Sequence, residues 1–87
     1  MYTKRKTINP LTLVLNNPTE QEKLYAVQKN GMLLEFIDNP SNKVIIAAIL
    51  QNPLALRLID KPTEEMKIAA IESNVEMYNF IKIHHII

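Results

Sequence analysis

The sequence predicts an all-α fold, a short α-solenoid of helix-turn-helix repeats, and three observations carry that expectation. The chain has one glycine and few aromatics, 6% of its 87 residues, while Ile, Leu, Asn and Lys dominate, a composition that favours helices over a turn-rich sheet. Pro18, Pro40 and Pro62 fall 22 residues apart, twice in succession and without a gap. The neighbours keep the same step, as in Leu24/Ile46/Ile68, Ala26/Ala48/Ala70, Val27/Ile49/Ile71, Asn30/Asn52/Asn74 and Ile37/Ile59/Ile81. A fixed short period marks an array in which no unit can bury its own apolar face and stacking supplies the core.

Each element follows from this register. Residues 1–8 form a basic N-terminal tail containing Lys4, Arg5 and Lys6. Residues 9–17 match the stretch 52–61 with one residue missing and form a half repeat, a second helix without its first, set to cover the open face of the array. Repeats 1, 2 and 3 span 18–39, 40–61 and 62–87, the last with a C-terminal helical extension, for seven short helices in all.

In each repeat Thr19, Ser41 or Thr63 stands where an N-cap hydroxyl accepts backbone N–H bonds, and Thr19 with Glu22 reads as a capping box. The preceding proline keeps the helix from running backward. Helix A then runs about 11 residues to Asn30, Asn52 or Asn74. At that position Asn either takes a left-handed conformation that ends helix A or caps the next helix with its side chain, and Pro53 after Asn52 favours the second role. Helix B has roughly two turns. It supplies Leu33, Phe36 and Ile37 in repeat 1 and Ala55, Leu58 and Ile59 in repeat 2, and in repeat 3 it continues through FIKIHHII, where no proline begins a fourth unit.

The pattern N-P-[ST]-x-x-x-x-x-x-A-[VI]-x-x-N-[GP]-x-x-L-x-x-I, as it stands in residues 17–37 and 39–59, resembles short α-helical repeats of unknown function found in bacteriophage, giant-virus and Legionella proteins. The resemblance covers about residues 9–81 and implies a helical array of phage or other mobile-element origin, with no catalytic residues to carry over. Lys61 departs from the pattern before Pro62, and Val75 departs from it after Asn74.

The functional expectation comes from positions where the repeats differ. Ile45 stands where the other units have Lys23 and Lys67, and Leu50 where they have Gln28 and Glu72. The middle helix A is thus apolar nearly all round, as a helix buried on both flanks or one bearing a docking patch must be. The expected activity is a non-enzymatic protein-binding module, a phage-encoded inhibitor of a host protein such as a defence system or the transcription machinery. Its contact residues are Lys43, Ile45, Leu50 and Arg57.

One alternative is a nucleic-acid-binding accessory protein that contacts phosphates through Lys4, Arg5 and Lys6, although nucleic acid is the disfavoured partner with no aromatic residues interleaved. Another is a structural homo-oligomer, a homodimer joined through Ile83, Ile86 and Ile87.

The remaining chemistry is sparse. Ten Lys and Arg against nine Asp and Glu leave a net charge of +1, which calls for neither nucleic acid nor a membrane surface. No cysteine is present, so thiol catalysis and thiolate metal sites are excluded. Adjacent His84 and His85 lack the spacing that holds a metal on one helix face. Ser41 and Ser73 have no histidine within their own 22-residue periods to act as a base, and Glu64 and Glu65 suit the first turn of a helix. No cofactor, metal or catalytic residue is therefore expected. The start MYTKRKTINP lacks the apolar core of a signal peptide, and no run is long enough to span a membrane, so a cytoplasmic location is expected, in the host cell if the chain is phage-encoded.

Overall fold

The computed structural model describes residues 17–84, and all their regular structure is helical. Three α-helices of ten residues start 22 positions apart: α1 (Glu20–Lys29), α2 (Asn42–Gln51) and α3 (Glu64–Ser73). Two short 3₁₀ helices come after the first two, η1 (Gly31–Phe36) and η2 (Pro53–Leu58), and α4 (Met77–His84) comes after the third. Of the half repeat at 9–17 all but Asn17, together with the basic tail, lies outside the described residues.

Each α-helix begins the same way. The extended residues Thr19, Ser41 and Thr63 accept the amides of Glu22, Val44 and Met66 on their hydroxyl oxygens, satisfying donors that have no intrahelical partner. Only α1 closes the full capping box, because Glu22 Oε1 in turn accepts the Thr19 amide at 2.9 Å. In α2 the corresponding residue is Val44, and the Ser41 hydroxyl instead donates to Glu20 Oε2 of α1 at 2.6 Å.

Asparagine settles where each helix stops and how the next one starts. The amides of Asn30, Asn52 and Asn74 close the last turn on the carbonyls of Ala26, Ala48 and Ala70. Their side-chain oxygens accept the amides of Met32, Leu54 and Glu76. All three are extended, with φ near −150°, so they act as caps of the next helix and not as left-handed stops. The left-handed residues are instead Asn17 and Asn39, at φ 50° and 48°, each directly before a proline. Asn tolerates that region better than most residues. Lys61, at the third such junction, is not among the left-handed residues.

The second helix of the first two units is 3₁₀, not α. Its six residues still make two turns, because a 3₁₀ helix completes one in three residues. Ile37 and Ile59 end these helices in extended conformation, and the chain must then enter Pro40 or Pro62. In the third unit there is no such proline, and the chain winds as an α-helix through His84.

The α-helices pack in order, α1 on α2 and α2 on α3, while η1 and η2 lie against them and against each other, and α4 packs on α3. The core lies between these two layers. Val27, Val44, Ala48, Ile49, Ala55, Leu56 and Ala70 are fully buried. Alanine at 26, 48 and 70 keeps the contacts between layers close. Gly31 illustrates the same constraint: a Cβ there would overlap the Ala48 carbonyl oxygen, so glycine is required by space and not by a positive φ. Its amide donates to Gln51 Oε1 at 2.6 Å. At the equivalent junction Pro53 has no N–H to satisfy, and Ser73, in the register of Gln51, donates its hydroxyl to the Leu50 carbonyl. No helix among the described residues is long and apolar enough to cross a membrane.

Candidate functional site

The middle helix is where surface and core diverge. Ile45 is 8% exposed and belongs to the core. The expectation that it forms an outward patch is corrected by its register mates. Lys67 at the same position is also buried, its stem covered while its ammonium reaches Glu64 Oε2 at 2.7 Å. Long lysine stems run along apolar surface with the charge at the edge, so Lys at 23 and 67 does not make position 45 a surface position.

Leu50, one turn further on, is 50% exposed. It lines an open groove of about 470 Å³ on the outer side of the α-helices, together with Leu24 and Gln28 of α1 and Ile46 and Ala47 of α2. Lys43 and Asn42 stand at one end and Glu65 of α3 beside them. The hollow exists because Ala47 is small. At that register α1 carries Tyr25, whose ring lies exposed beneath Lys29. Leu24 forms a buried wall, Ile46 is half-buried, and Leu50 rises from the rim.

The structure therefore brings Lys43 and Leu50 to one groove, buries Ile45, and leaves Arg57 exposed on η2, outside the groove lining. Lys4, Arg5 and Lys6 lie outside the described residues, as do Ile86 and Ile87; Ile83 lies within α4. Leu24, Gln28, Asn42, Ile46, Ala47 and Glu65 complete the groove and were not expected there. The one trace in the sequence is position 47, where alanine stands in register with Tyr25 of the preceding unit.

The polar groups considered for chemistry have structural work. Ser41 caps α2 and bonds Glu20, while Ser73 holds the Leu50 carbonyl. Glu64 and Glu65 occupy the first turn of α3, where the helix dipole favours negative charge. Among the described residues no group of three or more His, Cys, Asp or Glu side chains could hold a metal ion. What the groove offers is contact: an apolar floor, a half-exposed leucine, and one charge of each sign at the edge.

Comparison with protein-family models, with curated proteins and with solved structures finds no match.

Proposed function

We propose that the chain is a non-enzymatic protein-binding module, built as a short α-solenoid of a half repeat and three 22-residue repeats, whose partner docks in the groove between α1 and α2. The observation that carries this reading is the pairing of the Ala47 hollow with half-exposed Leu50, an apolar depression with polar edges. Such surfaces favour protein partners because a large apolar side chain can fill the hollow while the rim excludes water. The resemblance of the repeats to those of phage proteins supports a host protein as the partner and inhibition as the outcome, acting in the host cytoplasm.

The test is capture from a bacterial lysate, with and without nuclease treatment, with the tagged chain, with Ala47→Tyr and with Leu50→Gln. Both variants install the residue that α1 carries at the same register. Leu50 is half-exposed, so its substitution should move stability by no more than about 0.5 kcal/mol, and a thermal melt of each variant checks that the fold is kept where the ring replaces partly buried Ala47. One dominant protein, retained by the parent chain and lost with both variants, is the expected result. Capture indifferent to both substitutions overturns the groove reading, and recovery of nucleic acid alone, abolished by nuclease, overturns the protein-binding reading altogether.

A further inference from the structure

Three equivalent asparagines end the three α-helices, and the residue after each is different: Gly31, Pro53 and Val75. The difference is chemical as well as conformational. An asparagine that precedes glycine is the most susceptible to attack of the next backbone nitrogen on its own side-chain carbonyl carbon, because no Cβ hinders the approach. Proline has no amide hydrogen to lose, and a β-branched valine shields its nitrogen. We propose that Asn30 is a latent self-modification site and that Gln51, from the neighbouring helix, keeps it closed.

The step balances without any co-reactant except water. The Gly31 nitrogen bonds to Asn30 Cγ and gives up its proton to solvent, the side-chain amide nitrogen leaves as ammonia, and a five-membered succinimide results. Water then opens the ring at either carbonyl, leaving aspartate or its backbone-lengthened isomer. No atom is oxidised or reduced.

Two hydrogen bonds act on this step in opposite senses. The Met32 amide donates to Asn30 Oδ1 at 3.1 Å, the atom on which negative charge builds as the nitrogen attacks, and so favours the attack. The Gly31 amide donates to Gln51 Oε1 at 2.6 Å, which holds the proton that must leave and fixes the nitrogen against α2. Asn30 itself is exposed, while Gly31 is buried, so water reaches the side chain but not the attacking nitrogen while α2 is docked. Glycine cannot simply be exchanged, because the Ala48 carbonyl occupies the place of a Cβ. The close packing of the first two units therefore creates the labile junction, and the same packing places Gln51 to protect it.

Once the junction converts, the change is permanent. The aspartate form still caps η1 but places a negative charge at the C-terminal end of α1, and the isomerised form adds a backbone atom within that cap. The site thus marks, irreversibly, any molecule whose first two units have separated.

The experiment incubates the parent chain in mildly alkaline buffer, folded and in urea, and tracks each asparagine by peptide mapping with mass spectrometry, separating aspartate from isoaspartate by retention. In urea Asn30 should convert much faster than Asn52 or Asn74, and in the folded chain it should persist. Gln51→Ala should raise the folded-state rate at Asn30 about tenfold, the effect of one lost hydrogen bond on a barrier, with Asn52 and Asn74 unchanged. Met77→Ala, which weakens the buried contact of α4 with Gln51 intact, separates general loosening from the specific lock. The proposal is overturned if folded and unfolded parent chains convert Asn30 at one rate, if Gln51→Ala is no faster than the parent, or if Met77→Ala matches it at equal unfolding free energy.

Discussion

Helices α2 and α3 have the same length, the same hydroxyl cap and the same terminal asparagine, yet one register position has two fates in them. Ile46 of α2 is half-buried beside α3, whereas Ile68 of α3 is 52% exposed. Leu24, the same position in α1, is buried. Likewise Ile49 is fully buried and Ile71 only partly. The side chains are alike, so the difference comes from neighbours: α2 has a helix on each flank, and α3 has α2 on one flank and the short α4. In a stacked arrangement, burial is a property of place in the row as much as of residue type.

The largest expected effect breaks this comparison in the core. Ile49→Ala should destabilise the chain by about 3 kcal/mol, since the cavity it leaves is enclosed on every side, and Ile71→Ala by about half as much. Urea denaturation of the two variants measures the gap; equal losses would mean that α3 is as fully enclosed as α2. Next comes Ile45→Lys, which installs the residue found at 23 and 67. It should destabilise by about 1–2 kcal/mol, because the stem can take the route of Lys67 but no acid stands where Glu64 stands for α3. One register position on, the exposed Ile68 of α3 should accept lysine within about 0.5 kcal/mol of the parent. Smallest and sharpest is a contrast of caps. Thr19→Ala removes the hydroxyl half of the capping box but leaves the backbone amide of position 19 bonded to Glu22, so it should cost no more than the roughly 1 kcal/mol expected for Thr63→Ala, whose cap has no second bond. Thermal melts of the two variants compare them directly.

These contrasts also show what the sequence could disclose. The hydroxyl caps, the register and the closing asparagines were legible because each is a local device whose donor and acceptor lie within four positions of one another. The 3₁₀ winding of η1 and η2 was not legible, since the same apolar residues serve an α-turn or a 3₁₀ turn, and the choice depends on where the chain must go next. Ile45 misled for a different reason. Lysine at both equivalent positions suggested water, but a lysine reports where its ammonium lies and is silent about its stem. The groove was hidden because its cause is a missing volume: Ala47 looks like a core residue in the sequence, its register mate Ala69 is one, and only Tyr25 at that register is exposed.

The hydrogen bonds that tie one unit to the next, Gly31 to Gln51, Ser41 to Glu20 and Ser73 to Leu50, span 20, 21 and 23 positions. Each closes a loop of nearly the same modest size, so joining one unit to the next carries nearly the same small entropic penalty at every junction. Folding along such a chain has no long-range closure to wait for, and it can start at either pair of helices and spread like a zip. The reverse also holds: one junction can part while its neighbour stays shut, which lets the molecule breathe piecemeal without dissolving.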